Sequence, residues 1–235
     1  MRKIFLASTS TLFGGEYLEY IINDIDTFFK NCNEILFIPY ARPSGITHDN
    51  YTAQANLTFN KINKNLVGLH TFANKQKAIK NAQAIFVGGG NTFLLLSQLY
   101  KHDLISTLKN TVNLGTPYLG SSAGSNICGL TIKTTNDMPI VLPKSFNALA
   151  LVPFNINPHY IEQLDTNKHM GETRATRIKE FHAFNTPPVI GLREGSWLLI
   201  NNQTITLKGQ LKAVVFEQNK KPYQVKPETL LDNLK

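Results

Sequence analysis

What most constrains the fold of this chain is a series of short, uninterrupted apolar runs: residues 3–7, Ile35-Leu36-Phe37-Ile38, Ala84-Ile85-Phe86-Val87 and Tyr118-Leu119. A strand with one wet face alternates polar and apolar residues, whereas a strand buried on both faces reads as a continuous apolar run, the usual pattern of a parallel sheet. Between these runs lie segments of helical character. Leu18, Ile21, Ile22, Ile25, Phe28 and Phe29 recur at helical spacing over residues 16–30, and further helices are expected over 49–63, 92–100 and 104–113, with a strand at 66–69. Strand–helix alternation of this kind predicts a parallel sheet covered by helices on both faces.

Beyond residue 130 the pattern changes. Short, turn-rich segments lead to a charged helix over 171–184. Apolar runs then follow at 189–192, 197–200, 205–207 and 213–216, the later ones separated by turns at Asn201-Asn202 and Lys208-Gly209. These read as antiparallel hairpins closing a sheet edge. No linker, repeat or low-complexity tract interrupts the 235 residues, so one α/β domain over residues 1–235 is expected.

Composition narrows the function classes. A 42% hydrophobic, 17% charged chain is that of a globular protein, and no apolar run approaches the ~18 residues of a membrane span. The apolar N-terminus is broken early by Thr9-Ser10-Thr11 and reads as a first strand rather than a leader, which makes a cytoplasmic protein the expectation. Two cysteines fit a reducing compartment: Cys32 in a polar loop and Cys128 inside a helix as a buried, inert thiol. The net charge of +8 is spread over scattered lysines (Lys61, Lys64, Lys75, Lys77, Lys80, Lys101). It therefore suggests a bias toward anionic small molecules rather than nucleic acid.

The chemistry centres on Gly120-Ser121-Ser122-Ala123-Gly124, a G-x-S-x-G elbow that lifts a serine out of a strand-to-helix turn. A serine nucleophile needs a base, and the base needs an orienting third group. Of the histidines His48, His70, His102, His159, His169 and His182, His159 is directionally restricted by Pro158, while His102 and His182 read as solvated helix residues. Two acids are open as the third member. Asp137 stands in a polar turn, and Glu194 stands just past a buried strand, where the sites of open α/β sheets gather. Gly88-Gly89-Gly90-Asn91 ends another strand without a phosphate-loop pattern. Its glycine amides, together with the amide of Ala123, suit an oxyanion hole.

Taken together, Gly88-Gly89-Gly90-Asn91-Thr92-Phe93, Ser122-Ala123-Gly124, the run TTNDMPIV over 134–141, Ile156-Asn157-Pro158-His159, Gly171-Glu172-Thr173-Arg174 and Gly191-Leu192 with Glu194-Gly195 resemble the peptidase E family of α-aspartyl dipeptidases. The likeness runs from about Ser8 to Trp197. It implies a three-layer sandwich with a mostly parallel central sheet, similar to class I glutamine amidotransferases. It also implies a serine exopeptidase that releases aspartate from Asp-X dipeptides and short peptides, with Ser122 as nucleophile and His159 as base. Either Asp137 or Glu194 completes the triad; position favours Glu194, and Asp137 otherwise holds a loop near the site. Gly89, Gly90 and Ala123 would form the oxyanion hole, and Arg174, with Asn91, would bind an acidic peptide substrate. No metal, organic cofactor, nucleic acid or membrane partner is implied, and the chain would be a monomer or homodimer. Two other readings are a hydrolase of isoaspartyl or cyanophycin-like amides on the same fold, and a non-enzymatic binder of acidic peptides. Two departures from the family pattern stand out: Ser121 replaces a bulky aromatic residue, and Arg193 replaces a proline, which sets a cation beside Glu194.

Overall fold

A computed structural model of the protein describes residues 1–43, 45–162 and 171–234. The apolar runs form β1 (Lys3–Ala7), β2 (Glu34–Ile38), β3 (Asn65–Gly68), β4 (Ile85–Val87) and β5 (Tyr118–Ser121), all mutually parallel where they pair. Period-two geometry explains why these runs are apolar throughout. Ile4, Leu6, Leu36, Ile38, Ile85, Val87 and Tyr118 point into one core, whereas Phe5, Ala7, Ile35, Phe37, Phe86 and Leu119 point into a second core on the opposite face.

Helices α1 (Ile22–Phe28), α2 (His48–Asn60), α3 (Lys75–Asn81), α4 (Thr92–Lys101), α5 (Ile105–Asn113) and the one-turn α6 (Ala123–Asn126) connect or follow these strands. The helix expected from residue 16 begins later. Leu18 adopts φ 54° with its amide bonded to Ser10 O at 2.6 Å, so the chain reverses there and a 3-10 turn at Glu19–Ile21 leads into α1. Helix α3 lacks a sequence signal because it is lysine-rich and buries only Ile79; the Asn74 side chain, accepting from Lys77 N, starts it.

The second half supplies β6 (Asn155–Asn157), α7 (Arg174–Phe184), β7 (Val189–Gly191), β8 (Ser196–Asn201), β9 (Thr204–Gly209), β10 (Ala213–Phe216) and β11 (Tyr223–Val225). Only the hairpin β8–β9 closes the edge of the main sheet, whose order is β3-β2-β4-β5-β1-β8-β9. The expectation that all the later runs close that edge is corrected by a second sheet of order β11-β10-β7-β6, in which β6 and β7 run parallel. That pairing, Asn157 opposite Gly191, brings together the residues that follow each strand. No helix among the described residues is long and apolar enough to cross a membrane.

Two local expectations also change. Cys128 lies just past α6 rather than in it, and burial pushes its thiol up to about 12. Cys32 lies in the loop between α1 and β2, where it is buried. His182 is buried too, its ring Nε2 3.0 Å from Pro187 O.

Candidate active site

Ser122 sits between β5 and α6 with φ 52° and ψ −111°, a region that non-glycine residues rarely enter. The surroundings hold it there. Ser122 N bonds to Ala7 O at 3.1 Å, and the single Ser125 Oγ–H proton is shared between Ala7 O and Gly120 O, at 2.7 and 2.8 Å from Oγ. Tyr118 Oη donates to Gly124 O at 2.7 Å. A Cβ on Gly124 would lie 2.2 Å from Val87 O, so the elbow can press against β4 only with glycine there.

His159 follows β6 and, like the serine, has a positive φ, 53°. Its amide donates to Ser8 Oγ at 2.9 Å, and Ser8 Oγ donates in turn to Leu192 O at 2.7 Å. Leu192 N bonds to Asn157 O and Tyr160 N to Leu192 O, which continues the β6–β7 pairing past both strand ends. The result is a linear relay. Ser122 Oγ lies 2.7 Å from His159 Nε2, and His159 Nδ1 lies 2.6 Å from Glu194 Oε1. With Glu194 ionised, the proton of a neutral ring belongs on Nδ1, leaving the Nε2 lone pair to accept from the serine.

Asp137 is not brought to His159. Its Oδ2 accepts from the Thr92 amide at 2.7 Å and from Thr135 Oγ1 at 3.2 Å, at the N-terminus of α4, where a carboxylate is favoured. The rest of the 134–137 segment acts as a strap. Asn136 Nδ2 donates to Pro158 O at 2.7 Å, Thr134 Oγ1 donates to Ile156 O, and Asn157 Nδ2 donates to Thr134 O and Asn136 Oδ1. This strap ties the histidine loop to the glycine loop.

Asn91 likewise has both ends of its side chain engaged. Oδ1 caps α4 by accepting from Leu94 N at 3.0 Å, and Nδ2 donates to Met138 O at 2.8 Å. Of the glycine loop, Gly89 faces the nucleophile, its Cβ position 3.1 Å from Ser122 Cβ. Gly90 has φ +143° and lies so close to Ala41 O that a Cβ would be 2.3 Å from it. Among the described residues the amides of Gly89, Gly90 and Ala123 donate to no backbone carbonyl.

Arg174 opens α7, whose N-cap is Thr173. Its Nη1 is buried without a hydrogen-bond partner among the described residues. Burial lowers its affinity for the proton, while the charge of Glu194 draws it back up, so the guanidinium lies within the field of the relay. The helix-surface ion pair with Glu172 that this helix could offer is made instead by Arg177, at 3.7 Å. Arg193 turns away from Glu194. It pairs with Glu162 at 2.8 Å, bonds to Lys212 O and lies over the Tyr160 ring.

Ser121, the other serine of the elbow, is fully buried. His48 and His102 flank Tyr40 instead of the relay, with ring centroids 5.2 and 5.8 Å away, and His70 lies 5.4 Å from His48; His169 lies outside the described residues. Among the described residues no three His, Cys, Asp or Glu side chains are grouped as metal ligands.

Sequence reasoning missed Ser8, although its position directly after the first buried strand was a usable signal. Ser8→Ala would leave the His159 amide unpaired and take one of two donors from Leu192 O, which keeps the Tyr160 amide. A loss of about 1–3 kcal/mol in stability, measured by denaturant unfolding, is expected, with turnover reduced by roughly tenfold as the imidazole loses its fixed direction.

The chain matches the model of "Peptidase family S51" over residues 4–208. It is 45% identical over 219 residues to a Drosophila melanogaster protein named "Probable alpha-aspartyl dipeptidase", covering 92% of this chain and 90% of that one. It is 40% identical over 223 residues to peptidase E of Streptomyces coelicolor, covering 95% and 90%. Among solved structures, a peptidase from an acI-B1 Actinobacterium superposes with a TM-score of 0.74 at 15% identity, covering 98% of this chain and 96% of the other, a likeness of fold.

Proposed function

The chain belongs to peptidase family S51, and from that premise we propose that it is a serine dipeptidase that removes aspartate from the N-terminus of Asp-X peptides through Ser122, His159 and Glu194. The observation that carries the mechanism is the continuous 2.7 and 2.6 Å relay from Ser122 Oγ through the imidazole to Glu194. As Oγ attacks the carbonyl carbon of the aspartyl residue, its proton passes to His159 Nε2. Glu194, bonded at Nδ1, stabilises the imidazolium that forms. The carbonyl oxygen becomes an oxyanion held by the amides of Gly89 or Gly90 and Ala123, each such donor being worth roughly 2.7–4 kcal/mol. His159 then returns the proton to the departing nitrogen as the C–N bond breaks. A water, deprotonated by the same imidazole, attacks the aspartyl ester on Ser122 and frees aspartate.

Aspartate selectivity is assigned to Arg174. A buried guanidinium nitrogen without a partner is costly, and a carboxylate of the substrate would satisfy it with a charge-assisted pair. The Drosophila melanogaster relative named as an alpha-aspartyl dipeptidase supports the same substrate class. Asn91 is assigned a supporting role, because both ends of its side chain already hold protein groups. Family membership sets aside the reading of the chain as a non-enzymatic peptide binder.

A panel of Asp-Leu, isoAsp-Leu and Leu-Leu tests the proposal. Turnover of Asp-Leu with little or none of Leu-Leu is expected, and preference for isoAsp-Leu would replace the substrate class. Arg174→Met should lower kcat/KM for Asp-Leu by roughly 100-fold or more, the scale of truncating one partner of a buried charge pair. It should leave any residual Leu-Leu activity in place.

A further inference from the structure

A second cation is joined to the glycine loop beside the nucleophile. Arg42 is exposed, and among the described residues no carboxylate pairs with it. Its guanidinium carbon lies 4.8 Å over the Tyr51 ring centroid. Such a cation–π contact holds the group while leaving N–H donors for a ligand.

Tyr51 links this cation to the oxyanion loop, because its hydroxyl donates to Gly89 O at 3.1 Å and Gly89 abuts Ser122. The residue before Arg42, Ala41, presses on Gly90 and accepts from Asn91 N at 2.7 Å, so the arginine is anchored to the same loop from two directions. Beside it, the Tyr17 hydroxyl stands 3.5 Å from that of Tyr51, feels the charge of Arg42 and faces Ser121. Ser121 Oγ is buried without a hydrogen bond among the described residues. This wall is therefore polar and cationic at the point where a bulky aromatic residue would otherwise stand.

Two guanidinium groups are thus tied to the site, Arg174 through the charge of Glu194 and Arg42 through Tyr51 and Gly89, whose Cβ position lies 3.1 Å from Ser122 Cβ. An Asp-X dipeptide carries two carboxylates, one on the aspartyl side chain and one at the free C-terminus of X, on opposite sides of the scissile bond. We propose that Arg42 binds the C-terminal carboxylate of the departing residue and so makes this peptidase selective for dipeptides over longer or C-terminally blocked peptides. The inference rests on the reading of Ser122 as nucleophile and deepens it. Lengthening the peptide by one residue moves the carboxylate beyond the reach of an arginine so held, and amidation removes the charge altogether.

The test compares each dipeptide with its own C-terminal amide, in the wild type, Arg42→Gln and Arg42→Lys. The wild type should prefer Asp-Leu over Asp-Leu-amide by about 10- to 100-fold in kcat/KM, expressed chiefly in KM, the scale of a charge-assisted hydrogen bond. Arg42→Gln should abolish that preference while changing Asp-Leu-amide turnover by less than about threefold, and Arg42→Lys should restore part of it. Equal losses on acid and amide would overturn the proposal, because they would mean that Arg42 only supports Tyr51 and the oxyanion loop. An unchanged preference in Arg42→Gln would overturn it as well. The outcome is separable from aspartate selectivity. If Leu-Leu is the better substrate, the aspartyl reading fails, while Leu-Leu against Leu-Leu-amide still measures Arg42; absence of turnover on any dipeptide overturns both.

Discussion

Glu194→Gln is expected to lower kcat for Asp-Leu by about 10⁴-fold, with KM nearly unchanged. Glutamine keeps the shape and a hydrogen bond to His159 Nδ1 but can donate through its amide, so the ring can settle in the tautomer whose proton lies on Nε2. That nitrogen then has no lone pair for the serine, and the imidazolium formed during attack loses its counter-charge; the equivalent change in the trypsin triad costs about 10⁴. Steady-state kinetics of Glu194→Gln beside Asp137→Asn measures this. Asp137 accepts from the Thr92 amide and from Thr135, so its replacement weakens a helix cap and a strap. A stability loss of about 1 kcal/mol and a kcat reduced by no more than about tenfold are expected from Asp137→Asn. If Asp137→Asn fell by 10⁴ while Glu194→Gln stayed near wild type, the roles would be exchanged.

The choice between these two acids shows where the sequence stopped being legible. Both follow short apolar or polar turns, and both precede residues that favour loops, so local pattern treats them alike. Their separation is topological. The residues after β6 and β7 become neighbours because those strands pair in parallel, Asn157 beside Gly191, with α7 in the connection. Strand β6 is three residues long, and its two asparagines are buried by side-chain bonds to Thr131 and Thr134 rather than by apolar character. Hydropathy therefore does not mark it as a strand, and the second sheet it opens was not foreseen.

The five parallel strands were legible for the opposite reason. Strands β1, β2 and β4 send Phe, Ile, Leu or Val to both faces, and β5 sends Tyr118 to one and Leu119 to the other, which leaves these strands no register with a polar side; β3 buries Leu66. The elbow, His159 and the glycine loop were legible because backbone demands fixed residue types there, as with Gly124 against Val87 O and Gly90 at φ +143°. Asn91 is ambiguous in the sequence for a physical reason. An asparagine after a glycine turn suits a ligand contact and a helix cap equally, and its Oδ1 is engaged as a cap. His182 read as solvated because its helix is charged, yet its ring packs inward against Pro187 O.

Ser122→Ala is expected to have the largest effect of any single replacement. Removing the nucleophile of a serine relay costs on the order of 10⁶ in kcat, and the residual rate comes from substrate binding and the oxyanion hole. The backbone should keep its shape, because the elbow is held by the bonds of Ser122 N, Ser125 Oγ and Tyr118 Oη rather than by the serine hydroxyl. Binding of Asp-Leu should therefore survive, within about tenfold in Kd, since loss of an interaction made only in the transition state leaves ground-state binding in place.

The tandem serine makes this replacement decisive when paired with its neighbour. Ser121 is fully buried on β5, with its side chain beside Gly89 and Tyr17, and among the described residues its Oγ has no hydrogen-bond partner. The most direct measurement is Asp-Leu turnover by Ser122→Ala and Ser121→Ala side by side with the wild type. Loss of about 10⁶ in the first, with the second within about tenfold of wild type, is the expected result. Ser122→Ala retaining activity within about tenfold of wild type, or Ser121→Ala losing it all while remaining folded, would contradict the relay.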